Sequence, residues 1–557
     1  MRINLILISI FLFAIIIVGR LAYIQIEKYD FYTALAQGQQ KFFLKTEGKR
    51  GEIFFRYGQP LAINRNFIYV FTSPPNVENY DETAKILSEI LGLSYDFIFK
   101  RITQKNSFFE LLKKRLSEDE VINLKKANLP GIYLRTEVLR YYPQNFLASQ
   151  VIGFVGGKED GQYGIEGYKN EILQGKQGFK RGQRDVFGRI LGQIVEDGGS
   201  SGQDITLTID YNIQFTAEKL LEKAYNNFNI KSGQIIVLNP NSGEILAMAN
   251  FPNFNPNEFS KFYELDVFKN SAVQKIFEPG SVIKTFTMAI ALEQGKITPE
   301  TTYVDQGMVK INHHIIRNFA HRIFGERTMT EVLAKSINTG SVYVANLIGL
   351  EDFIKYLERF GFFDLTGIDL QGEAVFHNNE LRKNGREINL ATASFGHGIS
   401  ITPIQLVRAF AIIANQGRMV NPTIIKSIEN EENINKKVFY DQIISEKTAL
   451  KTTNMMVETI NHSWNKLAQI PGYYVAGKTG TANIPWSALG YNKPGYSDKL
   501  IHTFVGYAPA YNPQFLIMVK LDEPQGVRTA SVSTLPIFQE LAKYIINLWQ
   551  IPPNYEH

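Results

Sequence analysis

A Pro-Gly break followed at once by an apolar, glycine-free run, FEPGSVIKTFTMAIAL over 277–292, predicts a buried helix with polar chemistry in its first turn. Ser281 and Lys284 stand three apart, so they share one helix face at the positive end of the helix dipole. A serine hydroxyl is a weak nucleophile until a base takes its proton, and a lysine stripped of water can be that base. Alone, the pair reads equally well as a capping serine and a surface lysine. Two later stretches change the balance. Ser336-Ile337-Asn338 brings a hydroxyl that can relay a proton to a leaving amine and an amide that can hold a substrate carbonyl. Lys478-Thr479-Gly480-Thr481, on a predicted strand, brings an amine and two hydroxyls suited to a carboxylate. Gly480 leaves room for a substrate backbone to lie alongside as an added strand. The Thr481 N–H can face that of Ser281 as an oxyanion-binding pair.

The N-terminus constrains where such chemistry takes place. Residues 3–18, INLILISIFLFAIIIV, are almost wholly apolar, and extension to Ile26 reaches the roughly 20 residues a spanning helix needs. Arg20 can snorkel to the interface. No small-x-small cleavage site follows, so 1–26 reads as an uncleaved single-pass anchor holding a large extracytoplasmic part. A chain of 557 residues predicts roughly two to four domains. Apolar content of 44% and charged content of 20% are those of a folded protein. A net charge of +5 over this length makes no case for nucleic acid. The absence of cysteine removes disulfides and thiolate chemistry.

Residues 27–200 read as an elongated non-catalytic pedestal. A helix or stalk at 27–47 leaves the membrane, a hairpin pattern lies at 49–64, and helical patterns cover 82–91 and 119–126. A short helix bounded by glycines is expected at 164–178. EDGGSSGQD at 196–204 is the clearest linker. From 201 to 557 the pattern is strand, then helices through about 420, then strands again and a closing helix at 535–549. Strands are expected at 205–209, 234–238, 245–249, 472–476, 501–508 and 514–521. This arrangement implies an α+β domain with one antiparallel sheet and helices on its faces.

S-x-x-K, S-x-N and K-T-G in this order form the penicillin-binding protein and serine β-lactamase signature, with Ile337 where the signature has aspartate. Further stretches carry the resemblance: RGEIFFRYGQPLA (50–62), RYYP (140–143), LNPNSGEILAMANFPNFNPN (238–257) and SFGHGISITPIQL (394–406). Over nearly its whole length the chain resembles a class B penicillin-binding protein, a monofunctional peptidoglycan D,D-transpeptidase, closer to the division (septal) branch than to the elongation branch. The resemblance implies that Ser281 is acylated by the penultimate D-Ala of a stem pentapeptide, releasing the last D-Ala. A neighbouring stem's amine then resolves the ester as a cross-link. Lys284 is implied as base, Ser336, Asn338 and Lys478 as proton carriers and substrate holders, and Thr479 and Thr481 as carboxylate binders. Also implied are β-lactam inhibition, a polytopic lipid-linked glycan polymerase as partner, and no cofactor or metal. Two positions depart from the family pattern. Phe55 stands where aspartate is usual, which bears on the pairing of Arg50 or Arg56, and His397 stands for glutamine in the 396–398 turn.

Rival readings fare less well. G-x-x-x-x-G-K-T at 472–479 satisfies the P-loop pattern, but a P-loop opens a helix at its Lys-Thr, and Gly480 to Pro485 is poor helix sequence. A β-lactamase or carboxypeptidase shares the three motifs and needs a water-activating carboxylate; Glu380 with Asn384 has suggestive spacing. A penicillin sensor or scaffold would dispense with Ser281, Lys284 or Lys478, or carry signalling sequence before the anchor. His313, His314 and His321 lack a metal-ligand pattern and read as ordinary surface or core histidines.

Overall fold

The computed structural model describes residues 2–46, 48–157, 160–176, 178–184, 190–383, 385–431, 441–462 and 466–555. The chain separates into two compact units, 1–51 with 171–203, and 52–170 with 204–557.

In the first unit the apolar N-terminus forms helix α1 (Arg2–Ala22), which runs on through a wider turn at Tyr23–Glu27. The continuous apolar span Ile3–Glu27 is long enough to cross a bilayer, and none of its apolar window is buried within the protein. A second helix, Tyr29–Gln40, leads to a three-stranded antiparallel sheet of Lys41–Thr46, Gly178–Arg184 and Ile190–Asp197. The expected linker at 196–204 therefore begins as the end of a strand.

The second unit opens with the predicted hairpin, Ile53–Phe54 against Pro60–Thr72, whose long strand also pairs along its length with Ile132–Tyr141. Helices Tyr80–Leu91, Tyr95–Ile102 and Glu118–Ala127 bury Ala84, Leu87, Leu91, Ile98, Ile102 and Leu124 against Val70 and Leu112. Each has a serine or asparagine N-cap, and Ser117 with Glu120 forms a full capping box. The glycine-bounded helix resolves into two short pieces, Gly164–Tyr168 and Asn170–Leu173. Arg140 of the RYYP stretch donates from Nε to Glu166 at 2.6 Å in a buried pair. The strand expected at 205–209 is Ile205–Leu207, and it joins this sheet rather than the main one, beside Ile53–Phe54.

The main sheet has five antiparallel strands: β1 (Ser232–Leu238), β2 (Ile245–Phe251), β3 (Ala476–Pro485), β4 (Tyr496–Ala508) and β5 (Phe515–Asp522), in the order β2-β1-β5-β4-β3. Helices α2 (Tyr211–Phe228) and α7 (Leu535–Trp549) bury Leu220, Leu221, Phe538 and Leu541 against Ile235, Val237, Phe504, Ile517 and Val519 on one face. The alternate residues, among them Ile236, Val505 and Met518, are buried as well. That side is covered by α5 (Pro403–Ala414) and α6 (Glu446–Asn461), with α3 (Lys284–Glu293) packed on α6 and α4 (Asn338–Ile348) on α3. Sheathed by helices on both sides, the layout is the α+β sheet with helices on its faces that the sequence implies. Two expectations need correction. The helical reading of 293–420 misses four short strands at 302–328, an inner hairpin of Met308–Ile311 with His314–Arg317 enclosed by the pair Thr302–Asp305 and Gly325–Thr328. The strand placed at 472–476 starts at Ala476, because Tyr473 turns back to bridge Ile470 and Tyr474 N–H donates to Asn554.

Candidate active site

The buried helix begins one turn later than its sequence run. Gly280–Ile283 is a 3-10 turn that carries Ser281, and α3 starts at Lys284, whose N–H donates to the Ser281 carbonyl. Gly280 has φ +62°, which a side chain would strain. Every residue from Lys284 to Leu292 is buried, with Phe286 packed edge-on among Phe360, Phe362 and Phe410 at 4.9–5.1 Å. This aromatic nest clamps the helix and holds the half-buried Ser281 turn against β3. At Gly480 an added Cβ would sit 2.6 Å from the Pro279 carbonyl oxygen, so only glycine lets β3 approach that closely. The SFGHGISI stretch closes the other side: Gly280 N–H donates to Gly396 O at 3.1 Å, and Phe277 and Ile401 exchange backbone bonds of 2.9 and 3.0 Å.

Four polar residues of the three motifs, Lys284, Ser336, Asn338 and Lys478, converge on one spot, and the Ser281 turn leads directly into Lys284. Lys284 Nζ lies 2.6 Å from Ser336 O, 2.7 Å from Asn338 Oδ1 and 3.1 Å from Ser336 Oγ. The first two are acceptor-only atoms and take the two N–H donors of a neutral amine, so the lone pair is left for a hydroxyl proton. Lys478 Nζ lies 3.2 Å from the same Ser336 Oγ and 3.1 Å from Thr479 O. Both lysines are fully buried. Burial, then the neighbouring Lys478 charge, holds the Lys284 amine well below the usual lysine range. Burial brings Lys478 down to about 7. Ser336 sits at φ +55°, an uncommon conformation for a residue with a side chain and one concentrated at functional sites. Thr479 and Thr481 are half-buried on β3, and the Thr481 hydroxyl accepts from Ala530 N–H at 3.2 Å.

One cluster is not apparent from the motifs. Glu278, two residues before Gly280, accepts from Tyr496 O–H at 2.9 Å and from Gly398 N–H. Burial pushes it up to about 7 against those two donors. The His397 ring packs on Tyr496 and Phe395 at 5.0 and 5.4 Å, and burial, then the Lys284 charge, brings it down to about 4. Only the glutamate's place beside Pro-Gly-Ser could have drawn attention to it. At the other departure, Phe55 is fully buried edge-on to Tyr211 at 5.4 Å, while Arg56 pairs with Glu244 at 3.1 Å.

The rival constellations do not assemble. Lys478-Thr479 lies within β3, not at a helix start, which removes the P-loop geometry. Glu380 is exposed on the short helix Asn379–Arg382, and Asn384 lies outside the described residues. His313, His314 and His321 do not join a group of three candidate metal ligands among the described residues.

Comparison with known proteins identifies the family. Residues 45–207 match the penicillin-binding protein dimerisation domain and residues 233–543 the penicillin binding protein transpeptidase domain. The chain thus belongs to the class B penicillin-binding proteins, which pair these two domains. It is 31% identical to stage V sporulation protein D of Bacillus subtilis, covering 92% of this chain and 80% of that one. It is also 31% identical to the peptidoglycan D,D-transpeptidase FtsI of Buchnera aphidicola, covering 99% of this chain and 96% of the other. Among solved structures, a peptidoglycan synthetase from Bifidobacterium adolescentis shares the fold, with a TM-score of 0.72 at 24% identity over 93% of this chain and 98% of its own.

Proposed function

We propose that this protein is a peptidoglycan D,D-transpeptidase of septal cell-wall synthesis, acting through a Ser281 acyl-enzyme. The observation that supports the mechanism is the buried Lys284 amine, which follows the Ser281 turn, with two donors committed to Ser336 O and Asn338 Oδ1 and its remaining position facing the Ser336 hydroxyl at 3.1 Å. Lys284 takes the Ser281 proton as Oγ bonds to the carbonyl carbon of the penultimate D-Ala. Ser281 and Thr481 N–H groups hold the developing oxyanion, a contribution typically worth about 10²–10³ in rate per donor. Ser336, bonded to both lysines, delivers the proton to the leaving D-Ala nitrogen as the peptide bond breaks. An acceptor amine then attacks the ester, the new amide forms, and its proton returns to Ser281 Oγ. Asn338 and the Gly480 edge of β3 hold the peptide, and Lys478, Thr479 and Thr481 hold its terminal carboxylate.

In this reading 1–26 anchors the chain in the plasma membrane, 27–200 is the pedestal, and 201–557 carries the reaction on the extracytoplasmic side. β-Lactams, as mimics of the D-Ala-D-Ala terminus, acylate Ser281. The septal assignment rests on the motif spacing, and a polytopic glycan polymerase is the expected membrane partner. The test is labelling of the full chain in detergent with fluorescent penicillin, wild type beside Ser281→Ala. Persistent label on the wild type alone, with D-Ala release and cross-linking when an amine acceptor is added, supports the reading. Label on Ser281→Ala overturns the nucleophile, and rapid loss of label to water points to a hydrolase. A fluorescent fusion spread along the lateral wall rather than gathered at mid-cell overturns the septal role.

A further inference from the structure

Asp305 ends a strand of the small insertion that the sequence reading missed, in which Thr302–Asp305 pairs with Gly325–Thr328 and Met308–Ile311 with His314–Arg317. It is 2% exposed, and among the described residues no lysine or arginine pairs with it. Its charge is held by donors alone. Oδ1 accepts from Gly307 N–H at 3.0 Å and Thr339 O–H at 2.6 Å, Oδ2 accepts from Phe324 N–H at 2.8 Å, and Asn318 Nδ2 reaches both at 3.0 and 2.9 Å. Burial pushes the carboxyl up, yet these donors outweigh it and leave it below its ordinary value. A buried carboxylate that gathers donors from four segments is a fixed anchor point.

What it anchors lies next to the reacting groups. Thr339 follows Asn338, and Asn318 follows Arg317, whose carbonyl accepts from Asn338 Nδ2 at 2.9 Å. Asn318 Oδ1 also accepts from Thr339 N–H at 3.2 Å. A carbonyl can only accept, so the amide must turn its nitrogen to Arg317 and its oxygen to Lys284 Nζ, 2.7 Å away. The neighbours on both sides of that choice are held by Asp305.

We propose that Asp305 is a positioning residue for acyl transfer: through Thr339 and Asn318 it locks the Asn338 amide with its oxygen on Lys284. The inference rests on the reading of Lys284 as the base. An amide free to turn or shift would no longer commit one of the amine's donors, and the lone pair would lose its aim at the hydroxyl. The other groups facing Lys284 are Ser336, Lys478 from β3 and His397 from the 396–398 turn, all unchanged by substitution at 305.

The test uses full-length protein in detergent and the second-order rate of acylation by fluorescent penicillin across pH. Asp305→Asn is expected to lower the plateau about tenfold to a hundredfold, the cost of a misplaced catalytic group. It is also expected to move the acid limb to lower pH, because a Lys284 ammonium loses an acceptor. Partial unfolding would scale the whole curve and leave the limb in place. Adding Asn318→Asp, which restores a donor–acceptor pair with the roles exchanged, should recover part of the plateau and return the limb toward wild type. Should Asp305→Asn not fold, Thr339→Val removes one donor and carries the test, with a loss of about threefold or more and the same limb movement. A wild-type rate and limb, or a fall in rate with no movement of the limb, overturns the role of Asp305. Label on Ser281→Ala would instead overturn the acyl-enzyme reading beneath it.

Discussion

Replacing Lys478 by methionine should make Lys284 a poorer base at neutral pH, and the site geometry sets by how much. Both amines bond to Ser336 Oγ, at 3.1 and 3.2 Å, so their nitrogens are no more than about 6 Å apart. Lys478 titrates at about 7, so below neutral pH it is charged, and its charge is the second cause, after burial, of the low Lys284 pKa. At an effective dielectric near 20, two unit charges about 6 Å apart repel by roughly 2.8 kcal/mol. Methionine keeps the volume and the dryness but removes that repulsion, so the Lys284 ammonium gains stability. Less of the amine is then free to take the Ser281 proton at a given pH, and the acid limb of acylation moves up. Because Lys478 is only partly charged near 7, the displacement should be about one to two pH units rather than the full value.

The assay is again the second-order rate of penicillin acylation, followed from about pH 5 to pH 10 on full-length protein. Loss of the carboxylate contact lowers the height of the curve, whereas the lysine–lysine coupling moves its midpoint, so the two effects separate in one data set. An acid limb that stays in place, or moves down, in Lys478→Met would refute the argument that the second lysine keeps the first one neutral.

Glu278 has a folded-state pKa of about 7, above that of an exposed glutamate, so its contribution to stability is whole below about pH 4.5 and is lost as pH rises through 7. At pH 8 the buried charge costs on the order of 3 kcal/mol; Glu278→Gln should therefore narrow the Tm difference between pH 5 and pH 8 by several degrees, and an unchanged difference in melting curves refutes the assignment. His397, brought down to about 4, is uncharged at neutral pH and carries no proton there. His397→Gln should leave the acylation rate at pH 7 within about threefold while costing about 1 kcal/mol of ring packing, and a larger fall would make the imidazole part of the proton path.

The residues proposed to do the chemistry are legible in the sequence because such a reaction restricts them to a few types at short spacing: Ser281 with Lys284, Ser336 with Asn338, Lys478 with Thr479. The long apolar elements are legible for the same reason of repetition, and the closing helix Leu535–Trp549 falls where its pattern puts it. The insertion at 302–328 is not, since strands of four residues broken by glycine and histidine carry too little periodicity to be told from helix. Nor is any tie between remote segments. Asp305 meets Thr339, Glu278 meets Tyr496, and Phe55 meets Tyr211 only after the chain has folded.

This division has a chemical consequence. A lysine three residues from a serine is an ordinary cation in water, and the motif does not by itself supply a base. In the proposed mechanism the amine becomes one because Phe286, Phe360, Phe362 and Phe410 close α3 against the core, because Lys478 is buried beside it, and because two acceptor-only oxygens claim its donors. Each of these comes from a different stretch of chain. On this proposal the motif specifies which atoms react, while distant packing sets the protonation state in which they can. Substitutions far from Ser281 that admit water to Lys284 should therefore lower acylation by moving its pH profile, even where every motif residue is intact.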